Sequence, residues 1–114
     1  MNFNKIHSIF FIGIGGIGMS ALARFFMYKQ KAVYGYDRTE TQLTQSLISE
    51  GAHISYTDNT KHIPESIIND KKGSLIIYTP AIAENNKILN YFKENKFVLY
   101  KRSEILGFIT QWEA

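Results

Sequence analysis
The chain has 114 residues, 45% apolar and 20% charged, with a formal net charge of +3. This is one domain's worth of globular chain with enough apolar residues for a modest core, which excludes intrinsic disorder. The absence of cysteine excludes disulfides, thiolate nucleophiles and cysteine-bound metals, and the scattered lysines and arginines form no stripe of the kind that tracks nucleic acid.

In chain order, the start MNFNKIHS lacks the long apolar stretch of a secretory signal. The apolar runs are strand-sized, so no membrane span is predicted and a cytoplasmic protein is expected. Ser8–Ile12 (SIFFI) reads as a fully buried strand that runs into a glycine cluster. Residues 17–30 read as a helix with Ile17, Ala21, Leu22, Phe25 and Phe26 on one face. Ala32–Tyr36 (AVYGY) is a second strand, in which Gly35 marks a close backbone approach. Thr39-Glu40-Thr41-Gln42 has capping-box spacing, which predicts a helix over 40–50 closed by Gly51. A third strand follows over 52–56, then polar loop and a helical turn over 65–69. Ser74–Tyr78 (SLIIY) is the fourth strand, stopped by Pro80. Asn85 or Asn86 caps a helix through Glu94, 97–100 is a fifth strand, and Ser103 caps a last helix over 104–111.

This alternation predicts an α/β fold: a Rossmann-like, doubly wound parallel sheet of five strands in the order 3-2-1-4-5, with helices on both faces. Ligands of such sheets bind beyond the carboxyl ends of the strands, at the switch point between the first and fourth. The glycine cluster, Asp37 and the stretch 78–82 should meet there. Gly13, Gly15 and Gly18 match G-x-G-x-x-G, and Gly16 adds a fourth glycine. The first permits a tight turn, the second lets backbone approach a diphosphate, and the third lets helix and strand pack. Amides at the helix start then face the anion. A bare strand-to-helix turn is the plain alternative. Asp37 follows the second strand, where an acid takes a ribose hydroxyl or simply makes a turn. Arg38 reads as an exposed surface residue. The three histidines, His7, His53 and His62, lack metal-ligand spacing.

These features fit a dinucleotide module, yet no Tyr-x-x-x-Lys, His/Asp pair or nucleophile–base set follows. In detail the chain resembles the Mur ligase family of peptidoglycan synthesis, in particular its alanine-adding members. FFIGIGGIGMSALA resembles the family's opening and YGYDRTETQLTQSL its second-strand segment. IIYTPAIAENN and YKRSEILG resemble its fourth-strand segment and fifth-strand exit, so the likeness runs in order over 5–107.

The resemblance implies a three-domain ligase whose first domain binds the UDP part of UDP-N-acetylmuramic acid. ATP, with magnesium, phosphorylates the lactyl carboxylate, and the amine of L-alanine attacks the acyl phosphate. It implies Gly13, Gly15, Gly16, Ile17 and Gly18 as the diphosphate cradle, Asp37 as the uridine contact, and Thr79, Ala81 and Ile82 as the fourth-strand wall. Arg102 matches the family's arginine at the fifth-strand exit, and an exposed helix-start residue is an equal reading. Many members carry Gly-His near 57–59; here the stretch reads TDNT, which leaves a uracil contact there open.

No G-K-[S/T] loop of an ATP site occurs in the 114 residues. Residues 1–114 are therefore expected to form the N-terminal UDP-sugar-binding domain without the central ATP-binding and C-terminal domains. Such a piece should bind without catalysing, and should hold no cofactor or metal of its own; ATP and Mg2+ serve the full-length enzyme. A stand-alone NAD(H)-binding regulatory module is the alternative. Trp112 and the apolar face of the last helix are expected to be exposed.

Overall fold
A computed structural model of the protein describes residues 1–112. The strands are β1 (Ser8–Ile12), β2 (Ala32–Tyr36), β3 (His53–Ser55), β4 (Ser74–Tyr78) and β5 (Leu99–Lys101), all parallel, in the order β3-β2-β1-β4-β5. The helices are α1 (Met19–Tyr28), α2 (Gln42–Ser49), α3 (Glu65–Ile68), α4 (Lys87–Glu94) and α5 (Arg102–Trp112). Register aligns the functional end. Ile12 lies opposite both Tyr36 and Tyr78, so the chain leaves β1, β2 and β4 at one level.

Every residue of β1 is buried, as a central strand covered on both faces requires. Its side chains alternate between two cores. Ile9 and Phe11 join Met19, Leu22, Ala23 and Phe26 of α1, Leu47 of α2 and Ile105 of α5. Phe10 and Ile12 face Ile67 of α3 and Ile88, Leu89 and Phe92 of α4. This is the expected doubly wound sheet. The close approach at Gly35 is real: a Cβ there would lie 2.8 Å from the Ile14 side chain.

Several boundaries differ from the sequence reading, each for a local reason. Gly18 has φ +79 and cannot continue a helix, so α1 starts at Met19. Ile17 is thereby left fully exposed rather than in the core, and Ala21 also faces solvent; Met19 and Ala23 take their places. The capping box sits two residues later than predicted, on Thr41 and Thr44. Asn86, not Asn85, caps α4 by accepting the Leu89 N–H at 2.9 Å. β3 is shorter than predicted, and β5 begins two residues later, with Phe97 buried just before it. Ser103 does not cap α5; the Glu104 carboxylate accepts the Lys101 N–H at 2.8 Å instead. Trp112 is half-buried rather than exposed, with its ring stacked on Phe3 at 4.7 Å.

Candidate functional site
The β1–α1 turn is built on two glycines with positive φ, Gly13 (+90) and Gly18 (+79), a region L side chains rarely enter. The Gly13 and Ile14 amides donate to the Tyr36 carbonyl, at 2.8 and 3.1 Å, which ties the turn to the end of β2. Gly16 N–H donates to Gly13 O, and Met19 N–H to Gly16 O. Among the described residues no acceptor takes the amides of Ile17, Gly18, Ser20 and Ala21. Four donors therefore cluster at the positive end of the ten-residue helix α1. That is the arrangement by which a helix start receives an anion.

Asp37 holds this turn in place. Its Oδ2 accepts the Gly15 N–H at 2.9 Å and its Oδ1 accepts the Thr39 N–H at 3.0 Å. A Cβ on Gly15 would lie 2.9 Å from that Oδ2 and 3.0 Å from Thr44 Cγ2. The residue at 15 is thus confined by Asp37 and by α2, and its amide is already committed.

Beside the turn lies a cavity of about 480 Å³ lined by Gly13, Gly16, Ile17, Tyr36, Asp37, Arg38, Thr79, Ala81, Ile82, Ala83 and Asn86. Its size suits a small-molecule ligand. Thr79 packs on Gly13, where it fills the space a side chain at 13 would need. Tyr36 and Asn86 are buried. Burial pushes the Tyr36 phenol up from its ordinary value, and the nearby Asp58 and Asp37 carboxylates add to the effect. Asp58 lies outside the lining and caps α4: its two oxygens accept the Lys87 and Ile88 amides at 2.9 and 3.1 Å.

Arg102, at the start of α5, lays its side chain on the glycine turn. A Cβ on Gly18 would come within 2.6 Å of the guanidinium carbon and 3.0 Å of Cδ. The guanidinium has no hydrogen-bond or ion-pair partner among the described residues, so its donors stand beside the four open amides.

A family profile described as "Mur ligase family, catalytic domain" matches residues 8–112. The chain belongs to the Mur ligase family. This member of the family is 50% identical over 111 residues to a UDP-N-acetylmuramate–L-alanine ligase of Cytophaga hutchinsonii, covering 97% of this chain and 24% of that protein. It is 48% identical to one of Phocaeicola vulgatus, covering 96% and 24% respectively. It therefore spans about a quarter of the length of these curated relatives. Its fold matches the crystal structure of a UDP-N-acetylmuramate-alanine ligase from Thermotoga maritima with a TM-score of 0.77 at 28% identity, over 93% of this chain and 23% of that one.

In this Mur ligase chain the cavity gathers Gly13, Gly16, Ile17, Asp37, Thr79, Ala81 and Ile82 from the residues singled out in the sequence. Gly15 is not in the lining; it sits behind Asp37. Gly18 and Arg102 meet each other at the helix start. Arg38 lines the cavity as well as being exposed, and Tyr36, Ala83 and Asn86 were not anticipated. Asn86 carried a signal only as a helix cap, and Tyr36 only as the last residue of a strand. Within the TDNT stretch, Asp58 caps α4.

Proposed function
We propose that this chain is the N-terminal, UDP-N-acetylmuramic-acid-binding domain of a cytoplasmic, ATP-dependent ligase that joins L-alanine to that sugar nucleotide in peptidoglycan synthesis. The observation that carries this reading is the turn at Gly13–Gly18 with four open amides, matched by family and by relatives that bear that ligase's name. The diphosphate lies on the amides of Ile17, Gly18, Ser20 and Ala21, with Arg102 as a second source of positive charge. Gly16 leaves room for it, while Gly13 serves the turn itself, the space beside it being filled by Thr79. Asp37 has lone pairs remaining on both oxygens and accepts from the ribose. Gly15 acts through Asp37, by letting the carboxylate come close. Thr79, Ala81 and Ile82 form the opposite wall.

The reading gives ATP and magnesium to the whole enzyme and assigns no residue of this chain to them. The sequence has no G-K-[S/T] loop, and among the described residues no three His, Asp or Glu side chains converge. No helix of the described residues is long and apolar enough to cross a membrane. The experiment is a thermal-shift comparison of UDP-N-acetylmuramic acid, UDP and NADH. Each UDP compound should stabilise the domain, by about 2.7 kcal/mol at a hundredfold excess over its Kd, and NADH should not. Stabilisation by NADH with none from UDP would overturn the reading in favour of a nicotinamide-binding module.

A further inference from the structure
At the opposite end of the sheet, beneath the amino ends of β4 and β5, lies a second cavity of about 430 Å³. Its apolar surface comes from Ile6, Leu75, Phe97, Val98 and Tyr100. Its charged groups are Lys5, Lys71, Lys72 and Lys96, brought together from three separate segments. Among the described residues no acidic side chain lines it. The nearest acid in sequence, Asp70, is occupied within its own loop, where it accepts the Gly73 N–H at 3.1 Å.

Two details place these lysines. Lys96 has φ +61 at the turn that leaves α4, the same left-handed helix end that Gln30 (φ +63) makes after α1. A lysine there is conformationally unfavourable, and its side chain supplies one wall of the cavity. Lys71 is fixed in place: its ammonium donates to the Asn95 carbonyl and lies 5.1 Å from the centre of the Phe97 ring. Beside it Val98 is 65% exposed, an apolar surface at the cavity with no cover of its own.

We propose that this cavity is a second binding site, for a small organic anion with an apolar body. The body rests on Phe97, Val98 and Leu75, and the anionic head is met by Lys72 and Lys96, neither of which has a hydrogen-bond or ion-pair partner among the described residues. An apolar floor with a few convergent charges is what such ligands require, and the volume is in their range. The site shares no residue with the glycine-turn crevice.

The probe is 2-naphthyl phosphate, titrated into nitrogen-15-labelled protein and followed by amide shifts. The amides of Ser74, Leu75, Val98 and Tyr100 should move. Inorganic phosphate and 2-naphthol, which each lack half of the recognised chemistry, should bind about tenfold more weakly or worse. Lys72→Glu with Lys96→Glu should weaken binding by about tenfold or more, and added salt should weaken it in the parent. Lys96→Gly separates the roles of that residue: the melting temperature should rise while affinity for the probe falls. The proposal is overturned if those amides stay still, if the charge-reversed protein binds like the parent, or if Lys96→Gly leaves probe binding unchanged.

Discussion

Gly15→Ala tests how Asp37 and the glycine turn depend on each other. Gly15 does not have positive φ, so alanine meets no backbone strain there. Its new methyl would instead sit 2.9 Å from Asp37 Oδ2 and 3.0 Å from Thr44 Cγ2. Thr44 cannot yield, because its hydroxyl is fixed by the Thr41 amide at 2.9 Å and the Tyr56 hydroxyl at 2.8 Å. The carboxylate must therefore rotate away and lose the Gly15 N–H. A hydrogen bond to a charged group is worth about 1.5–3 kcal/mol, and partial exposure moves this one toward the lower end. Removing glycine's freedom in the unfolded chain returns about 0.4–1 kcal/mol. The net loss should be about 1–2 kcal/mol, or about 4–8 °C in melting temperature for a domain of this size. The assay is a double-mutant cycle by urea denaturation with Asp37→Ala. In that background the bond is already gone and the space vacant, so Gly15→Ala should cost no more than about 0.5 kcal/mol. If the two single losses simply add, the Asp37 contact is not what requires glycine at 15, and the reasoning fails.

Gly18→Ala combines positive φ with a collision against Arg102, so it should both destabilise the domain, by about 1 kcal/mol or more, and weaken UDP binding in calorimetry. Phe11→Ala should cost about 3–5 kcal/mol in denaturant unfolding, more than any change at the turn, because Phe11 is fully buried in the central strand. The Tyr36 phenol has a raised pKa in the fold, so the unfolded chain loses its proton first. Its stabilising contribution is present below the ordinary value of 10.0 and fades as pH rises through the folded value; Tyr36→Phe should flatten the alkaline limb of a stability–pH curve. Glu50 is held below its ordinary 4.5 by the hydrogen bond from Arg24. The pair's contribution is present above pH 4.5 and lost as pH falls through the lowered value, so parent and Glu50→Gln should converge in acid and in high salt.

The central elements were legible in the sequence because one cause determined them. β1 and β4 are runs of apolar residues buried on both faces, and their predicted limits match the structure residue for residue. The strand order followed from the alternation of strands and helices. The boundaries that moved are those where two local signals compete. Thr39 looked like a helix cap, but its amide is taken by Asp37, so the chain is still turning there. The working box uses threonine at its fourth position, where the usual signature is Glu or Gln. Ile17 fits the helical period, yet the left-handed Gly18 that follows keeps it outside α1. At the site, the positions of Gly13, Asp37 and Thr79 could be read from the sequence because three strands end at one level. The partnership of Arg102 with Gly18 joins residues 84 positions apart in the chain, and Asp58 reaches 30 positions to Ile88; neither leaves a local pattern.

The Asp58 cap also gives the crevice a direction. Two helices start at its edge, and their amino ends are not equivalent. The first turn of α4 is already closed: Lys87 and Ile88 donate to Asp58, and Leu89 to Asn86. A carboxylate sits where an incoming anion would otherwise settle, so that end repels negative charge. The first turn of α1 keeps its amides open, with a guanidinium beside them. A long ligand with one charged and one uncharged end can consequently lie only one way round, its anionic part toward α1 and its neutral part toward α4. Polarity of binding is thus set by which helix start the protein has filled with its own acid.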